Sequence, residues 1–166
     1  MNRVQKFGNA GMTVLTVIAI VVVQAILSYH FRVFRSFDLQ LIYCVYYGFR
    51  TSKPVSSVFL GGGLGLLQDS LSGVAMGTNG FSKALICFAA ASTSLKFNVD
   101  QPITRVFALF LFTLADGLLV SILGLTMGTG GAVISGGLMD LILSGVFNTL
   151  LGLMMFGFRD RFRHAT

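Results

Sequence analysis

Apolar residues in this chain do not alternate with polar ones; they come in long runs. Six runs are separated by short polar breaks: Met12–Tyr29, Phe37–Phe49, Val55–Leu71, Phe81–Leu95, Thr104–Leu125 and Leu138–Phe158. A bilayer core takes about 20 helical residues per crossing, and shorter spans serve where neighbours cover them. The pattern predicts an all-α integral membrane protein with six transmembrane helices. Residues 1–166 read as one domain, because no stretch has the composition of a soluble one. Arg3 and Lys6 precede the first run, as in a signal peptide. Its apolar stretch is too long for that, and no small-x-small site follows Ile26-Leu27-Ser28-Tyr29. It reads as a retained anchor helix. Tyr43, Tyr46 and Tyr47 in the second run are expected at an interface with wet hydroxyls.

Composition supports the same class. Of 166 residues, 54% are hydrophobic and 11% charged, where a soluble domain is closer to a quarter charged. Mean hydropathy is +0.81. This excludes a water-soluble enzyme and a disordered chain. The net charge of +6 suggests nucleic acid only until the basic residues are placed, since they sit between the apolar runs. With the N-terminus inside, the cytoplasmic side receives Arg3, Lys6, Arg50, Lys53, Lys96, Arg105, Arg159, Arg161 and Arg163. Arg32 and Arg35 fall outside, beside His30 and Asp38, and Lys83 lies just within the fourth run. Positive charge accumulates in cytoplasmic loops, so both termini are expected in the cytoplasm. The tail Arg159-Asp160-Arg161-Phe162-Arg163-His164 reads as a topology anchor beside membrane lipid.

Ionisable groups inside a span cost about 2.5–3.5 kcal/mol each on insertion scales, so each needs a reason. Asp69, Lys83, Asp116 and Asp140 stand out, all in the outer half of the expected bundle. Asp69, Lys83 and Asp140 lie near helix ends, where side chains snorkel to water. Asp116 lies about 16 Å beyond Arg105, too deep to do so. The sharper expectation is a polar cluster with Lys83 as one cation among the three carboxyls. Gln68, Asn79 and Asn148 would complete its hydrogen bonds. Glycines are dense in the third run, with a Gly-x-x-x-Gly step at Gly61 and Gly65, and again at Gly73, Gly77 and Gly80. Small faces let helices approach closely in lipid. Gly61, Gly65, Gly73, Gly77 and Asn79 are therefore candidates for helix packing or partner contact.

Chemistry finds little support. Asp116-Gly117 begins like the motif of membrane alcohol-phosphate transferases, but Val120-Ser121 stands where Ala-Arg is needed. Gly63-Leu64-Gly65-Leu66 has the glycines of an intramembrane aspartic protease without its Asp. His30 and His164 fall on opposite sides of the membrane. Cys44 and Cys87 lie in apolar runs and read as small buried hydrophobes. The expectation is a non-enzymatic protein with no catalytic residue, no metal and no cofactor.

One stretch carries a resemblance. Leu60-Gly-Gly-Gly-Leu-Gly-Leu-Leu-Gln68-Asp69-Ser-Leu-Ser-Gly73-Val-Ala-Met-Gly77-Thr-Asn79-Gly-Phe-Ser-Lys83 resembles the rod shape-determining MreD family. The length, the short second span and the basic tail fit as well. Lys83 and the outer basic loop have no place in that pattern. The resemblance implies a non-enzymatic inner-membrane scaffold of the bacterial elongation machinery, organising peptidoglycan synthesis and rod shape. The implied partners are MreC, the rod-specific glycosyltransferase with its penicillin-binding protein, and the MreB filaments. It implies a fold similar to the six-helix substrate-binding components of energy-coupling-factor vitamin transporters, which makes a transporter component the rival reading. Two short, uncharged, glycine-rich outer loops disfavour the rival, since a vitamin binder needs aromatics and hydrogen-bonding groups there. On the scaffold reading, Gly61–Gly65 and the turn Gly73–Gly80 are expected contact surfaces.

Overall fold

A computed structural model describes residues 16–24, 26, 30, 38–72, 75–96, 99, 101–128 and 132–163. Among them every regular element is helical. The helix α1 covers residues 16–24. It is followed by α2 (Leu39–Thr51), α3 (Pro54–Ser72), α4 (Thr78–Lys96), α5 (Pro102–Thr126) and α6 (Ala132–Arg163). Each apolar run therefore has its helix.

The boundaries differ from the runs where local chemistry outweighs hydropathy. Asp38 caps α2, its Oδ1 accepting the Leu41 N–H at 2.9 Å, so the helix starts after it. Ser52 closes α2 in the left-handed conformation (φ 48°), and its N–H bonds back to the Gly48 carbonyl. Pro54 then opens α3, where a missing N–H costs nothing. The α4 helix begins at Thr78, three residues before the apolar run, because the turn at Gly77 (φ +101°) ends there. The α6 helix runs on to Arg163, since arginine extends a helix well without being apolar.

The α4 helix is the hub. It packs most extensively against α3, then α2, then α5, while α5 also pairs with α6. Leu41, Val45 and Phe49 of α2 meet Ile86 and Ala90 of α4 and Leu109 of α5. On the other side of α2, Tyr43 and Cys44 meet Val21 of α1, Leu64 of α3 and Cys87 of α4. Tyr43 is thus part of the core and does not sit at an interface, with ring centroids 6.4 Å from those of Tyr46 and Tyr47. Tyr46 presents its hydroxyl to Arg50 at 3.1 Å. Cys44 and Cys87 are free and fully buried, and the Cys87 thiol donates to the Cys44 carbonyl.

The distribution of polarity is inverted. The outer face of α5 exposes Ile103, Phe107, Leu111, Leu118, Ile122 and Leu125. The outer face of α3 exposes Val55, Phe59, Leu67 and Leu71, and that of α4 exposes Phe81, Leu85, Phe88 and Leu95. Buried instead are Gln40, Ser57, Asp69, Thr78, Ser82, Lys83, Thr113, Asp116 and Asn148. Water-soluble domains rarely expose contiguous apolar surfaces of this extent. Among the described helices, one segment, Ile103–Thr126, is long and apolar enough to cross a membrane on its own, with mean hydropathy 2.3. The others are shorter or diluted by glycine and polar residues.

Candidate functional site: a buried polar core

The site begins with α4. Lys83 enters the bundle one turn past the start of that helix and is fully buried. Its Nζ lies 2.7 Å from Asp38 Oδ2 and 3.8 Å from Asp116 Oδ2. Asp38 therefore serves twice: one oxygen caps α2 and the other holds the lysine. Asp116, on α5, turns its second oxygen to Ser82 Oγ at 2.5 Å. The Asn148 side chain on α6 accepts the Asp38 backbone N–H at 3.0 Å. The charged group thus joins the N-terminal end of α2 with α4 and α5, and Asn148 links α6 to it.

This corrects the expected cluster. Lys83 pairs with Asp116 as anticipated, but its nearer partner is Asp38, which hydropathy assigns to the outer loop. Asp69 takes no part in it. It is 2% exposed and sits at the far end of α3, where its carboxylate gathers the first amides of α4. Oδ2 accepts from the N–H of Gly77 at 2.8 Å and of Gly80 at 3.2 Å. Oδ1 accepts from the N–H of Asn79 at 3.1 Å and from its Nδ2 at 2.8 Å. A carboxylate at a helix N-terminus meets both unpaired amides and the positive end of the dipole. Asp69 is a cap delivered from the neighbouring helix, and it does not snorkel.

The hydrogen-bonding residues divide accordingly. Asn79 serves Asp69, and Asn148 serves Asp38. Gln68 does not complete the Lys83 shell; its Oε1 is buried without a hydrogen-bond partner. Asp140 lies on α6, and its side chain is outside the described residues. Ser82 and Asp38 were the residues that composition did not single out. For Asp38 the usable signal was its place directly before the run Leu39-Gln40-Leu41-Ile42, an N-cap position.

The glycine step has a definite use. A Cβ on Gly61 would meet the Lys83 carbonyl, and one on Gly65 the Asn79 carbonyl. Both are backbone atoms of α4, so the step sets the α3–α4 approach within the chain and leaves no free surface there. Gly77 faces open space and is needed for its positive φ. Gly73 lies outside the described residues.

Two outcomes follow for the carboxyls. Asp69→Ala leaves the donors on Gly77, Asn79 and Gly80 without their acceptor, at about 1–3 kcal/mol for each that stays dry. The expected result is early, fast amide exchange and proteolysis at residues 75–80 before the rest of the bundle opens. Protection equal to wild type there would contradict it. Asp116→Leu is expected to lower the thermal midpoint more than Asp140→Leu, because Asp116 sits in the ion-paired core. Thermal unfolding of the two purified variants in one detergent, with the reverse order, would refute it.

The arrangement can hold helices and charge in register. No curated relative and no solved structure matches the chain, so the expected likeness to vitamin-binding transporter components gains no support from known folds. A family profile, described as rod shape-determining protein MreD, matches residues 6–162. That match spans all six helices and includes the glycine step, Asp69, Lys83 and Asp116. The chain belongs to the rod shape-determining MreD family.

Proposed function

We propose that this protein is a multi-pass inner-membrane scaffold of the elongation machinery. It binds MreC and helps organise peptidoglycan synthesis with the rod-specific glycosyltransferase and its penicillin-binding protein. MreB filaments lie on its cytoplasmic side. The family match over residues 6–162 supports the role in cell shape. The inverted polarity, with apolar faces outward and Lys83, Asp69 and Asp116 inside, supports the multi-pass placement. In that placement both termini are cytoplasmic. The Asp38–Lys83 pair and the Asp69 turn then lie toward the outer surface, and the Ser52–Ser94 hydrogen bond (3.0 Å) toward the inner one. The protein acts by holding partners and not by catalysing a reaction.

The test is a mild-detergent pull-down of the tagged protein from its host membranes, read by mass spectrometry. Recovery of a single-span periplasmic coiled-coil protein together with wall-synthesis enzymes is the expected result. Recovery of two ATPases and a membrane coupling subunit would overturn it in favour of a transporter component.

A further inference from the structure

We propose that the seam between α3 and α4 seats one anionic phospholipid, its phosphodiester on Lys53 and Lys96 and an acyl chain in the furrow behind them. The proposal rests on the multi-pass placement and is independent of the scaffold role.

The furrow follows from small residues. Gly62 and Ala84 face each other across the two helices, with 3.8 Å between the Gly62 Cβ position and the Ala84 Cβ. Neither side chain is long enough to fill the seam. Val55 and Phe59 lie seven and three residues before Gly62, on its face of α3; Phe88 and Leu95 lie four and eleven residues after Ala84, on its face of α4. All four are exposed, Phe59 to 77%. Side chains beside an unfilled gap lack partner atoms on one side, and a flexible acyl chain supplies them.

The cations stand at one mouth of this furrow. Gly65 meets Asn79 and Gly61 meets Lys83, so α3 and α4 run antiparallel and the start of α3 lies beside the end of α4. Lys53 directly precedes α3, and Lys96 is the last residue of α4. Each lies within two residues of the Ser52–Ser94 hydrogen bond, which ties the ends together at 3.0 Å. Both lysines are exposed, and among the described residues neither has an ion-pair partner. The Lys53 carbonyl accepts the Ser57 N–H at 3.1 Å, which makes Lys53 the N-cap of α3. A cation there meets the positive end of the helix dipole, where an anion is favoured. By the charge pattern this end of the bundle carries nine basic residues against Asp100 and Asp160. A carboxylate of the chain itself therefore leaves cations over.

Charge complementarity selects the occupant. Two ammonium groups above an apolar furrow match a phosphodiester joined to acyl chains. A zwitterionic lipid brings its own cation to the same place and gains less. Arg50 is the natural control. It is exposed at the same end, but it stands on α2, away from the seam, and donates to the Tyr46 hydroxyl at 3.1 Å.

The test uses the full chain, delipidated in detergent, and reads lipid binding by native mass spectrometry. The probes are phosphatidylglycerol and phosphatidylcholine with the same acyl chains. Phosphatidylglycerol is expected to bind at least about fivefold more tightly, and Lys53→Gln with Lys96→Gln to abolish that preference. Lys53→Arg with Lys96→Arg keeps it. Arg50→Gln changes it by less than about twofold, since a charge off the seam acts only through screened solvent. Phe59→Ala weakens both lipids alike, by about threefold, because it touches the chain and not the head. Equal binding of the two lipids by wild type, a preference that survives the double Gln variant, or equal losses in Arg50→Gln would each overturn the site, the last showing diffuse surface charge only. Unchanged binding in Phe59→Ala would overturn the furrow. Flotation with phosphatidylcholine liposomes comes first: a chain that fails to float overturns the multi-pass placement, whereas one that floats without a preference overturns this site alone.

Discussion

Lys83→Met is expected to be the most damaging single substitution in this chain. It keeps the length and much of the volume of the side chain but removes the one cation that, among the described residues, pairs with Asp38 and Asp116. Removing one member of a buried ion pair typically costs about 3–5 kcal/mol, because the other is left buried and uncompensated. That is a large share of the stability of any single domain. The expected readout is a sharp fall in yield of monodisperse protein from detergent, and an early thermal transition in what is recovered. The same logic predicts a rescue. Adding Asp38→Asn to Lys83→Met removes the stranded anion, so the double variant is expected to be more stable than Lys83→Met alone. Such a reversal is the signature of two residues coupled through one interaction. If the double variant is as poor as the sum of the singles, the pair does not hold the core, and Lys83 matters for some other reason.

The second large effect is expected at Gly65, and it comes with an internal control two residues away. In Gly65→Ala the new methyl would run into the Asn79 carbonyl of α4. The obstacle is backbone, so relief requires the two helices to separate. Overpacking of this kind costs about 1–3 kcal/mol and sometimes more. The loss here includes the Asp69 contacts with Gly77, Asn79 and Gly80, which depend on the same close approach. Gly63 lies on the same helix with nothing near its Cβ position. There an alanine meets no obstacle and gains about 0.5–1 kcal/mol of helix preference over glycine. Gly63→Ala is therefore expected to raise the thermal midpoint slightly and Gly65→Ala to lower it markedly. Differential scanning fluorimetry of the two variants in the same detergent decides it, and equal shifts would mean that α3 and α4 are not held by this step. Any loss of MreC co-purification in a Gly65 variant is then read as loss of the α3–α4 unit and not as loss of a docking surface.

The sequence by itself determined the class of protein and the number of its helices. Long apolar runs carry that information locally, because each must be a helix if its backbone is to be satisfied in lipid. It also determined the family, through the stretch from Leu60 to Lys83, and it singled out Asp69, Lys83, Asp116 and Asp140 as ionisable residues that each need a reason. Cost, however, is a property of one residue, whereas pairing is a property of two. Asp38 looked like a loop residue because it stands beside Arg32 and Arg35 at the edge of the second apolar run; the structure shows a partner forty-five positions on in α4. Asp69 and Lys83 looked like members of one cluster because the charge pattern puts both in the expected outer half of the bundle. Only the packing of α3 on α4 turns Asp69 toward the amides of Gly77, Asn79 and Gly80 and Lys83 away from it. The glycine step was legible as a small face, but whether that face meets a partner or a neighbouring helix depends on what lies across from it. Tertiary structure decided these points for one physical reason. Hydropathy sums over neighbours in the chain, while ion pairs, caps and close helix contacts are made between residues that only folding brings together.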